Sequence, residues 1–186
     1  MRIISGFLKG KKINFLKSAN TRPLRDFVKE NIFNIINHSN LINVKLENAS
    51  VLDLYSGVGS FGIESISRGA KKSTFVENEN SALTILKKNL SDLKIEDQTE
   101  VFNEKTVSFF NRLNNKNKFE VIFFDPPFAE SFFIDELKAI KIASIYKKNH
   151  LVIIHREEKS EDQVEKILNI LLTKKYGRSK VIFGTF

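Results

Sequence analysis

Residues 50–62 read SVLDLYSGVGSFG, an apolar strand followed by a glycine-spaced turn and the start of a segment with helical character. In α/β folds, nucleotide-like cofactors are bound by a strand, a glycine turn and a helix in this order. Glycines let the backbone approach a ligand closely and adopt positive φ without steric cost. Asp53 differs from its apolar neighbours, because an unpaired buried carboxylate is costly. We therefore expect its carboxylate to accept hydrogen bonds from the amides of the turn or from a bound ligand.

The composition limits the class of protein. The 186 residues suffice for one well-buried domain, with room for only a small appendage. The absence of cysteine excludes disulfides and thiolate metal sites and gives no support for an oxidising compartment. The N-terminal sequence lacks the apolar core of a signal peptide, and no apolar run approaches membrane-spanning length. We expect a cytoplasmic monomer with no membrane partner.

The chain is strongly basic, with a formal net charge of +8 and a sequence pI near 9.6. A basic balance favours a polyanionic partner such as nucleic acid, although an AT-rich codon bias would explain the charge alone equally well. The position of the charge is more informative, because only Asp26 and Glu30 oppose the cations of residues 1–30. Those cations include Lys9, Lys11, Lys12, Lys17, Arg22, Arg25 and Lys29.

The N-terminal region, residues 1–37, is predicted to form a β-hairpin and a helix. Apolar runs at 2–7 and 12–16 flank Lys9-Gly10-Lys11, which is the pattern of a hairpin with a basic turn. Pro23 suits the first turn of a helix. Apolar residues at helical spacing then predict an amphipathic helix to about Asn37.

From residue 50 onward, strands and helices alternate, which predicts a parallel sheet covered by helices on both faces. Strands are expected at 50–54, 73–77, 99–103, 119–124 and 150–155. Helices are expected at 60–68, 79–94, 105–113, 132–145 and 161–172. A closing hairpin, 174–177 with 180–186, adds antiparallel strands at the edge. The predicted fold class is therefore α/β, with a mostly parallel seven-stranded sheet in one domain, 1–186, whose cofactor-binding catalytic core is 50–186.

The first candidate site joins the glycine turn to an acid on the next strand. Gly57, Gly59 and Gly62 fit the spacing G-x-G-x-x-G, and Glu77 lies 20 residues after Gly57 at the end of the following strand. A carboxylate at this position can accept hydrogen bonds from both hydroxyls of a ribose. A dinucleotide and S-adenosylmethionine both carry that ribose, so the spacing alone leaves the two cofactors open.

The second candidate site is Asp125-Pro126-Pro127-Phe128, directly after the predicted strand 119–124. Ligands of open α/β sheets lie outside the carboxyl ends of the strands. The prolines stiffen this turn and fix the directions of the Asp125 carboxylate and the Pro126 carbonyl. Two acceptors side by side suit an exocyclic –NH2 group, which has two donors. Phe128 offers a flat face on which a base can stack.

Together the two sites predict methylation of an amino group. The amine of guanine or adenine is a poor nucleophile because its lone pair is delocalised into the ring, and two acceptors for its hydrogens would localise that lone pair toward the electrophile. A sulfonium methyl is already activated, so positioning for in-line attack can carry much of the rate. Asp125 can accept the released proton. No clustered metal-ligand set is present, and the scattered His38, His150 and His155 are interpreted as structural or surface residues.

Several pieces of the sequence together resemble the small bacterial 16S ribosomal RNA (guanine-N2)-methyltransferases over nearly the whole chain. These pieces are RIISGFLKGKKI (2–13), TRPLRDFVKENIFNII (21–36), LDLYSGVGSFGIESISRGA (52–70), FVENENSAL (75–83), DPPF (125–128) and YGRSKVIFGTF (176–186). The resemblance implies a class I, Rossmann-like methyltransferase fold with S-adenosylmethionine as cofactor. It also implies a substrate that is one guanine in a loop of the 16S RNA, within a partly or fully assembled small ribosomal subunit.

The resemblance implies roles for individual residues. Residues 21–23 would close over the cofactor and the target base, the turn 53–59 would hold the methionine part, Glu77 the ribose and residues 103–106 the adenine. The cofactor-binding residues are then Thr21, Arg22, Asp53, Tyr55, Gly57, Gly59, Glu77, Asn78, Lys105 and Thr106. The catalytic residues are Asp125, Pro126, Pro127 and Phe128. The RNA-binding residues are Lys9, Lys11, Lys12, Arg22 and Arg25.

Two positions depart from the family pattern. Family members commonly carry Asp or Asn near the end of the third strand to meet the adenine amine, whereas this chain has Lys105. A cation cannot accept that hydrogen bond, so backbone groups or Glu104 are expected to serve instead. Phe27 stands where the family usually has Arg, which either removes one RNA contact or leaves it to Arg25.

Three alternatives remain at this stage. An N6-adenine methyltransferase on DNA or RNA would use the same chemistry, but the chain has no room for a separate target-recognition domain. An NAD(P)-binding oxidoreductase would explain the glycines and Glu77, yet it leaves the DPPF turn unused. A non-catalytic RNA-binding assembly factor with a worn cofactor site is the third, and Lys105 slightly favours it.

Overall fold

The computed structural model describes residues 1–15, 24–112, 118–127 and 132–186, but not the side chain of Asn111. One sheet is built from seven strands, β1 Ser50–Leu54, β2 Lys72–Glu77, β3 Thr99–Asn103, β4 Phe119–Phe124, β5 Tyr146–Glu157, β6 Asn169–Tyr176 and β7 Ser179–Thr185. Their order across the sheet is β3-β2-β1-β4-β5-β7-β6. β1 to β5 are parallel, whereas β7 is antiparallel to both β5 and β6. The predicted α/β class with a mostly parallel seven-stranded sheet is confirmed.

Helices cover both faces of this sheet. They are α1 Asp26–His38, α2 Ser60–Ser67, α3 Asn80–Leu93, α4 Thr106–Arg112 and α5 Phe133–Ala143. Short 3₁₀ turns occupy Glu96–Gln98 and Val164–Lys166. β1 and β4 are almost wholly buried, as expected for central strands covered on both sides.

The order of the strands places a crevice between β1 and β4. The chain builds outward from β1 to β2 and β3, then returns to add β4 on the other side of β1. At such a reversal the connections leave in opposite directions, which opens a crevice at the carboxyl ends of the two strands. Both candidate sites follow these two strands.

Two apolar layers enclose the sheet. The first layer joins the N-terminal segment, α1, α2 and α3 to one face of the sheet. At its centre the rings of Phe33, Phe61 and Phe123 are stacked, with centroids 5.0 Å and 4.1 Å apart. The second layer joins α4, α5 and residues 164–168 to the other face. Because the N-terminal segment shares the core of the sheet, we propose that residues 1–186 form one domain.

The N-terminal segment folds back as the sequence predicts, although only one antiparallel bridge, Arg2 with Lys12, forms within its described residues. The Ile3 amide donates to the Lys11 carbonyl at 3.0 Å, and the Gly10 amide donates to the Ile3 carbonyl at 2.9 Å. The segment lies on α2, where the Phe7 amide donates to the Ser67 carbonyl at 2.8 Å. The rest of the predicted hairpin, residue 16, lies outside the described residues.

A buried charge cluster joins this segment to α1 and α2. The Lys29 Nζ lies 3.5 Å from Glu64 Oε2 and donates to the Arg2 carbonyl at 3.0 Å. Glu64 also accepts the amides of Ile4 and Ser5 at 2.8 Å and 3.0 Å. Burial lowers the pKa of Lys29, and the neighbouring carboxylates oppose that change. Lys29 therefore does not belong to the exposed basic surface with which the sequence grouped it.

The predicted helix at 161–172 is wrong. Val164, Ile167 and Leu168 have helical spacing, but only one 3₁₀ turn forms there, and residues 169–176 form β6. β6 pairs with β7 along nearly its whole length. Tertiary pairing thus overrides the local pattern, as it often does for short apolar runs. The final hairpin exists as predicted, but its first strand begins at Asn169 rather than at 174.

The described part of the chain has neither a membrane-spanning helix nor a cluster of metal ligands. None of its helices combines the length and hydropathy needed to cross a bilayer. None of its histidine and carboxylate side chains gather in a group of three or more that could hold a metal ion.

Candidate active site

The carboxyl ends of β1 and β4 open onto one cleft, which we call the main cleft, with a volume of about 430 Å³. The turn after β1 contributes Tyr55, Ser56 and Gly57 to its wall, and the turn after β4 contributes residues 125–127. The glycine turn and the Asp-Pro-Pro turn therefore face each other across a single space. Glu77, at the end of β2, lines the same space.

The turn after β1 requires its glycines for different reasons. Gly57 and Gly59 have φ of +55° and +87°, which favour glycine. A Cβ on Gly57 would meet no atom within 4 Å, so the backbone there is open to a ligand. A Cβ on Gly59 would lie 2.4 Å from Leu86 Cδ1, so this position also allows α3 to pack closely.

Asp53 supports the turn from beneath. Its carboxylate accepts the Gly62 amide, in the first turn of α2, at 2.9 Å, as expected for a carboxylate within an apolar strand. The residue is 1% exposed. Burial raises the pKa of Asp53 well above its usual range, the Gly62 hydrogen bond opposes that rise, and the charges of Asp125 and Glu77 add to it.

Glu77 holds two parts of the site together. Its Oε2 accepts the Gly57 amide at 2.7 Å, and its Oε1 accepts the amides of Asn78 and Glu79, each at 2.8 Å. A carboxylate has about four acceptor sites, so these amides leave room for a further hydroxyl. Glu77 thus fixes the glycine turn against the start of α3 and still faces the cleft.

A side cleft of about 290 Å³ continues the main cleft and shares Tyr55, Glu77 and Asn78 with it. Glu104, Lys105 and Thr106 form one wall. Val107 and Phe132 add exposed apolar surface, with 54% and 70% of each residue accessible. The hydroxyls of Tyr55 and Thr106 donate to the buried carboxylate of Glu136 at the base. This space is apolar on one side and polar on the other, as a purine site requires.

The Asp-Pro-Pro turn is held by two residues from the end of β5. The Nδ1 of His155 lies 2.8 Å from Asp125 Oδ1, and because an ionised carboxylate only accepts, this nitrogen carries the hydrogen. The Arg156 Nη1 donates to the Pro127 carbonyl at 3.0 Å. Arg156 is itself fixed by Asp162, whose oxygens lie 2.8 Å and 3.2 Å from its Nε and Nη2.

Sequence reasoning missed the position of His155. It is not a surface residue, since it is 7% exposed and lines the main cleft beside Asp125. The register shows why, because Phe124 pairs with Ile154 and the next residue of each strand is Asp125 and His155. The signal is thus the strand order, which a single sequence does not contain.

The structure brings most of the predicted site residues to the two clefts. The described cofactor-site residues lining one or both clefts are Asp53, Tyr55, Gly57, Glu77, Asn78, Lys105 and Thr106. Lys9, Lys11, Lys12 and Arg25 are exposed, away from the cleft lining. Thr21, Arg22, Pro23 and Phe128 lie outside the described residues.

Comparison with known proteins identifies the family. A family model described as conserved hypothetical protein 95 matches residues 1–185. Ribosomal RNA small subunit methyltransferase D of Haemophilus influenzae is 35% identical over 159 residues, which are 85% of this chain and 79% of that protein. The chain belongs to this methyltransferase family. The protein of the same name from Buchnera aphidicola subsp. Acyrthosiphon pisum is 34% identical over 164 residues, covering 88% of this chain and 82% of that protein.

Solved structures give the same answer for the fold of this methyltransferase. The Escherichia coli protein yhhF, named as a candidate methyltransferase, superposes with a TM-score of 0.83 at 25% identity, covering 99% of this chain and 96% of that one. The Haemophilus influenzae protein HI0767, named as a candidate methylase, superposes with a TM-score of 0.78 at 29% identity, covering 98% and 96%. The class I methyltransferase fold is confirmed.

The cofactor of this methyltransferase is S-adenosylmethionine, and the alternative of a dinucleotide is thereby excluded. The residues that line the main cleft and the side cleft suit this cofactor. The main and side clefts join at Glu77 in the order that a methionine part, a ribose and an adenine need. The buried Ser56 hydroxyl, which lines the main cleft, has no hydrogen-bond partner within the described residues and so suits a polar ligand group. The carboxylates of Glu77 and Asp125, which line the main cleft, favour a sulfonium cation.

Proposed function

We propose that this methyltransferase transfers the methyl group of S-adenosylmethionine to the exocyclic N2 amine of one guanine in 16S ribosomal RNA of the small subunit. The observation that carries the proposal is the position of the Asp125-Pro126-Pro127 turn on the same cleft as the glycine turn. Relatives named ribosomal RNA small subunit methyltransferase D support the RNA substrate. Action on ribosomal RNA also implies a cytoplasmic enzyme, which we propose acts as a monomer.

The assigned chemistry places two acceptors on the target amine. The Asp125 carboxylate and the Pro126 carbonyl would accept its two hydrogens, and Phe128 would stack on the base. The bound cofactor supplies an activated methyl group. As the new N–C bond formed, the bond between the methyl carbon and the sulfonium sulfur would break, and the sulfur would keep the electron pair as a neutral thioether. The methylated amine would then lose one hydrogen as a proton, which Asp125 is placed to accept. His155 holds that carboxylate in position through its Nδ1.

We propose that the cofactor occupies both clefts. The turn from Asp53 to Gly59, with Tyr55, holds the methionine part, Glu77 and Asn78 hold the ribose, and the side cleft holds the adenine. The Lys105 side chain cannot accept from the adenine amine, but Lys105 and Thr106 line this space, and we propose that their backbone groups serve instead. The Glu104 carboxylate is engaged with Arg112, which makes it the weaker candidate acceptor. Thr21 and Arg22 are the remaining proposed cofactor-binding residues and would close over the cofactor and the target base.

The N-terminal cations would bind the RNA backbone. Lys9, Lys11, Lys12 and Arg25 are exposed, and no ion pair is recorded for them within the described residues. Arg22 belongs to the same proposal. Phosphate contacts of this kind release counterions, so RNA affinity should fall steeply with salt. A base in an exposed loop, or a flipped base, would then enter the main cleft.

The test is methyl transfer from labelled S-adenosylmethionine to protein-free 16S RNA and to small subunits that lack the modification, followed by mapping of the modified base. We expect label on the N2 of one guanine. Label on the N6 of an adenine would reassign the substrate. Tight cofactor binding in calorimetry with no transfer to either RNA would favour the non-catalytic assembly factor instead.

A further inference from the structure

We propose that the turn end of the β6–β7 hairpin forms a second RNA-binding surface beside the main cleft. We call it the hairpin surface and define it by Phe27, Lys174, Tyr176 and Arg178. Its partner would be the single-stranded RNA that flanks the target nucleotide. The inference rests on the proposed function, because it is RNA that the main cleft receives there.

The register puts this turn at the edge of the sheet that carries the cleft. β7 runs antiparallel to β5, with Lys180 opposite Arg156 and Ser179 opposite Glu157. The turn at 177–178 therefore lies at the carboxyl end of β5, the end that also carries His155. β7 lies two strands from β4, about 10 Å at the usual strand spacing, so RNA leaving the main cleft can reach it.

Contacts with α1 show which face of the hairpin is involved. Lys174 lies opposite Val181, which is buried in the apolar layer beneath α1, and Tyr176 packs against the same layer. The rings of Tyr176 and Phe27 meet edge to face, with centroids 6.0 Å apart. Leu24, which precedes α1, lines the main cleft. The hairpin surface is thus continuous with the cleft through the start of α1.

The two faces of the hairpin differ in how their cations are used. On the opposite face, the Lys175 Nζ lies 2.6 Å from Glu158 Oε1, and the Lys180 Nζ donates to the Ser160 carbonyl at 2.5 Å. Lys174, on the face towards α1, and Arg178, in the turn, are exposed, and neither forms an ion pair with another described residue. Cations that the protein leaves unneutralised in this way favour a polyanionic partner.

An exposed ring beside these cations indicates that the polyanion carries bases. Phe27 lies in the first turn of α1 and is 65% exposed, which is unusual for a large apolar side chain. Aromatic faces next to a basic groove are how proteins bind single-stranded nucleic acid, since unpaired bases stack on them. The hairpin surface is continuous with the main cleft, which the proposed function assigns to a base of ribosomal RNA, so RNA is the polyanion that reaches it, rather than an acidic protein or a membrane surface. We therefore favour RNA.

The test compares two double variants that remove the same charge from one hairpin. One variant removes two cations of the hairpin surface, and the other removes the two cations that are engaged by Glu158 and by the Ser160 carbonyl. The test variant is Lys174→Gln with Arg178→Gln, and the matched control is Lys175→Gln with Lys180→Gln. Binding of a fluorescein-labelled single-stranded RNA oligonucleotide is measured over a salt series. We expect the test variant to reduce the magnitude of the negative slope of log K against log salt by about 1.4, at about 0.7 for each lost phosphate contact. The control should match the wild type.

A third variant, Phe27→Ala, tests the stacking. It should weaken RNA binding at least about fivefold at every salt concentration and leave the slope unchanged, because stacking carries no counterion term. Affinity for S-adenosylmethionine, measured by calorimetry, checks that each variant is folded. If the test double variant fails that check, Arg178→Gln alone, in the exposed turn, replaces it.

The outcomes separate the two proposals. Equal slopes for the two double variants would show that only net charge matters and would overturn the hairpin surface. Unchanged affinity of Phe27→Ala would overturn the stacking role. A wild-type protein that methylates neither protein-free RNA nor small subunits would instead overturn the proposed function, whatever the variants do in the binding assay.

Discussion

Asp125 differs from the other carboxylates of the main cleft in its partner. Asp53 and Glu77 accept backbone amides, whereas Asp125 accepts the side chain of His155 at 2.8 Å. A histidine can be replaced without loss of backbone structure, so the surroundings of Asp125 can be changed more easily than those of Asp53 or Glu77. Asp125 is also 21% exposed at its side chain, which keeps it within reach of substrate.

Asp125→Asn should nearly abolish methyl transfer. Asparagine keeps the size and one acceptor of the side chain but cannot take the released proton, and such proton transfer contributes about 10²-fold or more to the rate. Affinity for S-adenosylmethionine in calorimetry should remain nearly unchanged. Asp135→Asn, on the exposed side of α5, is the matched control. A normal kcat for Asp125→Asn would refute the catalytic assignment.

His155→Ala should lower kcat more than it raises KM for the RNA. The alanine removes the donor that orients Asp125, and a misplacement of about 1 Å in reacting groups costs on the order of 10²-fold. His155→Asn places an amide nitrogen near the original Nδ1 and should recover part of the rate. A kcat of His155→Ala equal to that of the wild type would show that orientation of Asp125 by His155 does not matter.

Asp53→Asn should change the pH dependence of stability. Because burial raises the pKa of Asp53, the folded chain keeps this proton at pH values where the unfolded chain has lost it. The protonated Asp53 carboxyl therefore contributes its full stabilisation at low pH. This stabilisation is lost as the pH rises from the ordinary pKa of an aspartate in the unfolded chain toward the raised pKa in the folded chain. Asparagine cannot ionise and does not lose this stabilisation. The free energy of unfolding of the variant minus that of the wild type should therefore increase between pH 4.5 and pH 8 in urea titrations. A constant difference would contradict the raised pKa.

The sequence predicts which residues form the site better than it predicts the contacts between them. The spacing of the glycines, Glu77 and the Asp-Pro-Pro turn carries its own chemical meaning, and each of these lies at a cleft. His155 carries none by itself, because its contact with Asp125 depends on β5 lying beside β4. Such contacts between strands distant in the chain need the topology.

At the scale of elements, the turn between β1 and α2 is the most constrained connection near the site. It combines positive φ at Gly57 and Gly59 with close packing of Gly59 on Leu86. These two constraints have separate energetic costs, and a second glycine of the chain allows them to be measured apart. Gly10 has φ of +85°, close to the +87° of Gly59, and open space around its Cβ position.

Gly59→Ala should destabilise the protein more than Gly10→Ala. Both substitutions place alanine at positive φ, which costs about 1 kcal/mol or slightly more. Only Gly59→Ala also drives a Cβ into Leu86, and overpacking adds about 1–3 kcal/mol. Thermal and urea unfolding give the difference. Equal losses would mean that α3 moves away without cost.

The strands of the central sheet follow closely from the sequence, whereas the C-terminal third does not. β1 and β4 have the predicted bounds because continuous apolar runs between polar turns are buried on both faces. β3 also has the predicted bounds, although its residues are only half-buried or exposed. Residues 161–172 contain apolar positions that suit either a helix or a strand, and only the partner strand β7 decides between them. Local sequence cannot supply that partner.

At the scale of the whole molecule, the N-terminal segment is joined to the core by a buried charge cluster. Lys29 and Glu64 have fully buried side chains and contact Arg2, Ile4 and Ser5 through backbone groups. The cluster therefore fixes the segment that carries the exposed lysines relative to α1 and α2. Its loss should affect both the stability and the geometry of the proposed RNA surface.

Lys29→Met should lower the free energy of unfolding by about 3–5 kcal/mol, because it leaves the Glu64 charge buried with one cation fewer. Lys71→Met, at an exposed position, is the control for loss of a positive charge and should have little effect. Both are measured by urea unfolding in the absence of RNA. Glu64 has a second cationic partner, Arg68, whose Nε donates to Glu64 Oε1 at 2.7 Å. A loss for Lys29→Met no larger than that of the control would show that Arg68 alone compensates Glu64.

β6 ends the sheet, so one side of its backbone has no neighbouring strand within the described residues. Such a border invites a strand of another molecule to add to it, and lysine is a common protection against that. Lys174 and Lys175 point to opposite faces of β6 and repel an incoming copy from both. Removing both lysines should therefore make the protein more prone to aggregate, so solubility limits how far this border can be neutralised.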